Sequence, residues 1–251
     1  MFVTWFSSNT WLIEIAGLRI LVDPWLVGPL VFGNLEWLFR GECSDRPIPQ
    51  NLDLILLSQG LPDHAHPQTL NQLPKNTPVV ASVQAAQVVQ QLGYTEIYPL
   101  KPGQTYVKGD RLVITATAGA WVGPATIENG YILRDLQSPA ASLYYEPHGS
   151  HDPRLAKTNP VNLVITPTVD LQLPIIGSII QGSTATKPLN WLRPRFIMPT
   201  AAPGDVSYTG LLINLLNNQS HEAALKAAIA QNHPKTQLLV PQPGQQLAIP
   251  A

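Results

Sequence analysis

Cysteine is all but absent from this chain of 251 residues, where Cys43 stands alone. That excludes a disulfide framework and any zinc site built on thiolates. Charge is scarce as well. Lys, Arg, Asp and Glu supply 12% of the residues and sum to a formal net charge of −1. There is no basic field for nucleic acid and no acidic tail. No uninterrupted apolar run is long enough to span a bilayer. Met1-Phe2-Val3-Thr4-Trp5 has no basic residue, and Ser7-Ser8-Asn9 interrupts the apolar run, so no secretion signal is read there. The expectation is a soluble, cytoplasmic protein with no transmembrane segment and no nucleic-acid partner. A Gly-x-Ser-x-Gly elbow and a Cys–His pair are missing too, which removes the usual covalent nucleophiles. Gly182-Ser183-Thr184 lacks the lysine and the spacing of a phosphate loop.

What is present is apolar mass and proline. The 45% apolar share fills a real core, and the 25 prolines fall mostly in loops and at strand ends, where a missing N–H does no harm. Phe2 to Phe6, Trp11 to Ile15 and Leu18 to Val22 read as a strand meander. Val83 to Leu92 has helical spacing and closes on Gly93. Further strands are expected around Tyr106, over Leu112 to Ala116, Tyr131 to Leu133 and Leu143 to Tyr145, with buried ones at Leu163 to Thr166 and Phe196 to Met198. Late helices are expected over Pro188 to Leu192 and over Ala223 to Ile229, the latter capped by Ser220. Strand meanders alternating with helices point to two packed sheets with helices outside. No linker or charge run divides the chain, so residues 1–251 read as one α/β (α+β) domain.

The most informative stretch is Leu57-Ser58-Gln59-Gly60-Leu61-Pro62-Asp63-His64-Ala65-His66. A buried strand, Leu52 to Leu57, stops and at once presents an acid and two imidazoles, as a metal shelf at the end of a sheet would. Its spacing resembles the His-x-His-x-Asp-His motif of the metallo-β-lactamase superfamily. Asn9 to Glu14, Arg19 to Pro24, Asn129 to Leu133, Ser142 to Tyr145 and Pro199-Thr200-Ala201 follow the family's order as well. The likeness is closest to the lactonase-like branch.

This resemblance implies a four-layer αββα sandwich and a two-metal site, against which the departures are plain. Gln59 and Leu61 stand at the first-metal histidines, and Ala118 to Trp121 offers no other histidine. The bridging aspartate falls on His148, and the last family histidine on Ala201. Leu cannot ligate, and a Gln carbonyl is a poor zinc ligand. What survives is Asp63, His64 and His148, two imidazoles and a carboxylate that suit one Zn, Mn or Fe ion. Glu146, two positions before His148, would share its face in an extended chain, as a fourth ligand or a general base. Asp63 is the other candidate catalytic carboxylate. Gln59, Leu61, His66, His151 and Asp170 are expected to line the substrate pocket.

The structural alternative is that Asp63 caps the helix opened by Pro67, that His64 and His148 are hydrogen-bonded core imidazoles, and that no metal binds. Asp23 reads as a structural carboxylate holding the motif loop. Two apolar loops, Trp25 to Phe39 and Leu171 to Ile180 (with Ile175, Ile176 and Ile179), form either a homodimer seam or a mouth for an apolar small molecule. The function implied is a diverged hydrolase of an ester, lactone or phosphoester with at most one metal. The alternatives are a non-catalytic binding protein that kept the pocket, or a dimeric scaffold.

Overall fold

The computed structural model describes residues 1–122, 126–174 and 177–251. In chain order its strands and helices are β1 (Phe2–Ser7), β2 (Thr10–Ile15), β3 (Leu18–Val22), β4 (Leu30–Val31), β5 (Arg40–Glu42), β6 (Leu54–Leu57), α1 (Pro67–Gln72), β7 (Val79–Ala81), α2 (Val83–Gln91) and β8 (Ile97–Pro99). Then come β9 (Thr105–Lys108), β10 (Leu112–Val122), β11 (Thr126–Asp135), β12 (Ser142–Tyr145), β13 (Leu163–Pro167), β14 (Val169–Leu173), β15 (Gly177–Gln181) and α3 (Thr186–Leu192). The chain closes with β16 (Phe196–Thr200), β17 (Ser207–Thr209), α4 (Leu211–Leu215), β18 (Asn217–Ser220), α5 (Glu222–Asn232), β19 (Gln237–Leu238) and β20 (Gln246–Ala248).

Among the described residues these strands build two seven-stranded sheets, ordered β20-β1-β2-β3-β6-β7-β8 and β19-β16-β13-β12-β11-β10-β9. Their inner faces share one core. Trp11, Ile13, Ile20 and Leu56 come from the first sheet, and Ile114, Tyr131, Tyr145, Ile165 and Met198 from the second. On the outer face of the first, Leu21, Ile55 and Val79 meet Leu70 of α1 and Val89 of α2. On the outer face of the second, Tyr144, Val164 and Ile197 meet Leu189 of α3 and Leu225 of α5. Each central strand therefore buries side chains on both faces, so β6, β13 and β16 are buried along their whole length and mostly apolar. Four layers, αββα, result.

The meander β1-β2-β3 closes through Ala16 and Gly17, at φ 55° and 65°, a pair of left-handed residues that suits a tight hairpin. Beyond β3 the sheet turns parallel: β3 pairs with β6 and β6 with β7. β12, β13 and β16 are likewise parallel in the second sheet. Strand ends of this kind are where loops carry function in layered α/β folds.

Three expectations from the sequence need correction here. The helix opened by Pro67 is capped by His66, whose side chain accepts from Thr69 N, so Asp63 does not cap it. Ser220 ends β18 one residue before the cap position, which His221 takes, although the Ser220 hydroxyl accepts from Glu222 N at 3.4 Å. The two apolar loops are not loops throughout: β4, β5 and β17 form one small sheet, and β15, β14 and β18 another. Their strands are too short, or their pairing too distant in sequence, to read as period-two runs.

Candidate metal centre

Asp23 organises the site from below. It follows β3 in a left-handed conformation, φ 42°, and is fully buried. Its Oδ1 accepts from Ser58 N at 2.7 Å. Its Oδ2 accepts from Tyr145 OH at 2.6 Å, from the Ser58 hydroxyl, and from His64 Nδ1 at 2.7 Å. One carboxylate thus joins β3, the loop after β6 and the end of β12, across the two sheets. Pinning His64 through Nδ1 turns its Nε2 away from Asp23, the arrangement in which an outer carboxylate orients a metal-binding imidazole.

Around that nitrogen the surviving set converges. One ligand atom from each of Asp63, His64 and His148 lies within 4.8 Å of the others. The two imidazole centroids are 4.9 Å apart. His64 Nε2 lies 3.2 Å from Asp63 Oδ2, yet neither it nor Asp63 Oδ1, both buried, has a hydrogen-bond partner among the described residues. Buried polar atoms are rarely left so, and two orphaned atoms within a cluster of ligand residues are what an ion would satisfy. The donor set fits zinc, manganese or iron. Asp63, a quarter exposed, is the outward edge of the cluster, and Leu61 beside it is 37% exposed.

Electrostatics couples the three. Burial works against a charged His64, but Asp63 and Asp23 outweigh it and push the imidazole up to about 10. Burial likewise opposes ionised Asp63, and the His64 charge holds that carboxyl below its ordinary value. His148 is driven down to about 3 by burial and by the His64 charge, so it is neutral.

The other candidates are placed elsewhere. Gln59 is buried against His148, its Nε2 donating to Nδ1 at 3.0 Å. Glu146 does not join the ligand cluster. Its Oε2 accepts from His148 N at 3.1 Å and Ser150 N at 2.9 Å, binding its own turn together. The alternation argument fails because β12 ends at Tyr145, before Glu146, and Pro147 turns the chain. Burial pushes this carboxyl up to about 8 against the three backbone N–H groups that bind it. His66 uses both ring nitrogens structurally, on Thr69 and on Pro29 O. His151 sits behind β12 with Nδ1 3.1 Å from Tyr144 OH. Asp170 pairs with His221 at 3.0 Å and accepts from Ser183 N.

The apolar loops divide. Trp25 and Leu30 are buried with Val206, and Phe32 packs beside them, so most of that loop folds onto β17 and its neighbours. Trp37 and Ile179 stay exposed, while Ile175 and Ile176 lie outside the described residues. Sequence reasoning missed Ser58 and Tyr145 as partners of Asp23. It also missed Glu128, a buried carboxyl whose Oε2 has no partner. Burial raises the Glu128 carboxyl, with Ser82 opposing.

Fold and site together define an αββα protein with a candidate metal cluster of Asp63, His64 and His148 between the ends of its two sheets. The model of the β-lactamase superfamily domain matches residues 2–201. The chain belongs to that superfamily. Among proteins of curated function none matches it. In structure it is similar to an isothiocyanate hydrolase from Delia radicum gut bacteria, at 18% identity and TM-score 0.68, over 99% of this chain and 98% of that one. It is similar to a possible metal-dependent hydrolase from Veillonella parvula, at 16% identity and TM-score 0.73, over 98% of each chain. It also resembles CmlA, a diiron β-hydroxylase from Streptomyces venezuelae, at 14% identity and TM-score 0.69, over 98% of this chain and 53% of that one. At these identities the likeness is one of fold. No helix among the described residues is long and apolar enough to cross a membrane.

Proposed function

We propose that the protein is a hydrolase of an ester, lactone or phosphoester that works with at most one metal ion, held by Asp63, His64 and His148. The observation that carries this reading is the convergence of those three side chains, with His64 Nε2 and Asp63 Oδ1 buried and unpartnered. When bound, an ion there would supply Lewis acidity and a water of lowered pKa. The chain's own residues do the rest. Asp23 fixes the His64 ring, so that it cannot turn away from the centre. Asp63, at the outward edge, would accept a proton from the attacking water at its unpartnered Oδ1. Leu61 offers an apolar surface at the same edge, which favours substrates of low charge. The likeness in fold to an isothiocyanate hydrolase adds a second neutral, electrophilic-carbon class to test.

A metal-free binding protein is the second reading. It is favoured by the way Asp63 and Asp23 already balance a protonated His64. Elemental analysis of protein purified without chelator separates the two, followed by reconstitution with zinc, manganese and iron in turn. The hydrolase reading expects one ion per chain, lost in His64→Ala and His148→Ala, and turnover of aryl esters, lactones or phosphoesters that tracks the ion. Protein that takes up no ion under any of these conditions belongs to the binding class.

A further inference from the structure

Gln59 and His148 reach each other from opposite sheets, one following β6 and the other β12. Both are closed to solvent, at 2% and 7% exposure. Against the superfamily pattern each is a departure, Gln59 at a ligand histidine and His148 at the bridging aspartate, and the two departures touch. Gln59 Nε2 lies 3.0 Å from His148 Nδ1. An amide nitrogen only donates, so Nδ1 accepts and the neutral ring carries its proton on Nε2. A ring in that state has no lone pair free for an ion. The other end of the amide, Gln59 Oε1, is buried with no partner among the described residues. Half a turn of the amide exchanges its ends: Oε1 then accepts from Nδ1–H, and the Nε2 lone pair is released. His64 has no such choice, because the carboxylate of Asp23 on its Nδ1 only accepts.

We propose that Gln59 is a positioning residue that sets the tautomer of His148, and that rotation of its amide switches the centre between ion-refusing and ion-accepting states. The switching half rests on the one-ion reading above; the tautomer half does not. Metal-free protein labelled with ¹⁵N-histidine reports the tautomer by long-range ¹H–¹⁵N correlation, the His148 signals being those lost in His148→Ala. Wild type should carry the proton on Nε2. Gln59→Glu should move it to Nδ1, since a carboxylate only accepts. Gln59→Met, of similar shape but unable to donate, should release the preference and give a mixture, which keeps the test open if the buried Glu disturbs folding. Calorimetry with Zn²⁺ alone should show Gln59→Glu binding about tenfold more tightly than wild type, the lower end of what outer-shell partners do to metal affinity. A wild-type ring already protonated on Nδ1, or one tautomer common to all three proteins, overturns the proposal. Equal zinc affinities in wild type and Gln59→Glu overturn the switching half. Zinc, manganese and iron bound by none of them, with the tautomers as expected, sinks the hydrolase reading and the switch while the tautomer control stands.

Discussion

Replacing Asp23 by Asn tests the centre at its base. The backbone should tolerate the change, because φ 42° at this position is a left-handed conformation that Asn adopts as readily as Asp. What changes is the acceptor. Asp23 receives Ser58 N, the Ser58 hydroxyl, Tyr145 OH and His64 Nδ1, all buried. An amide keeps one oxygen for Ser58 N and turns an NH₂ toward the other three. The two hydroxyls can rotate and accept. A protonated His64 cannot, and it is left with Asp63 alone. A hydrogen bond to a charged group contributes about 1.5–3 kcal/mol, and stranding one member of a buried pair costs about 3–5 kcal/mol. We expect a loss of about 3–5 kcal/mol, hence a fall in melting temperature of roughly 6–20 °C at about 2–4 °C per kcal/mol for a chain of this size. Zinc affinity should fall about 10- to 100-fold, because the His64 ring loses its orienting partner. Calorimetric melting and zinc titration read both. A melting shift under about 2 °C would refute the assignment of Asp23 as the residue that joins the two sheets at this site.

His64→Ala and His148→Ala should each abolish the single bound ion in native mass spectrometry. His66→Ala and His151→Ala should leave it, since those rings point to Thr69 and Tyr144 instead. The metal-free protein should lose stability as pH falls through the window from about 6.5 to about 3. His148 and His151 are both held near 3 by burial, so the unfolded chain binds more protons in that window and is favoured there. Urea melts at stepped pH check this, and flat stability between pH 6 and 4 would contradict it. Trp25→Ala should cost about 3–5 kcal/mol as a core truncation, whereas Trp37→Ala, at 66% exposure, should stay within about 0.5 kcal/mol. Equal costs would mean that Trp37 is covered in solution.

Much of this protein was legible before its structure. The apolar runs Leu54 to Leu57, Leu163 to Thr166 and Phe196 to Met198 announce strands buried on both faces, because a strand exposed on one side alternates. Val83 to Leu92 has helical spacing and Gly93 closes it, both by local rules alone. Asp63, His64 and their post-strand setting mark a candidate metal cluster, and the structure brings their ligand atoms together with one of His148. Asp23 after β3 reads as the carboxylate that holds the motif loop, and its bonds from Ser58 and His64 bear out that placement.

Side-chain direction past the end of a strand was not legible. Glu146 and His148 part company because period two holds only while the chain is extended, and β12 stops one residue short of Glu146. His66 became a helix cap and His151 a half-buried partner of Tyr144, outcomes set by which backbone N–H or hydroxyl lay nearest in space. The sequence by itself determined the layered fold, through hydrophobic periodicity and turn chemistry that act over a few residues. Tertiary structure alone decided the centre. Asp23, Ser58 and Tyr145, like Gln59 and His148, lie tens of residues apart, and only the packing of two sheets brings their buried polar atoms within hydrogen-bond reach, where low dielectric makes each partner count.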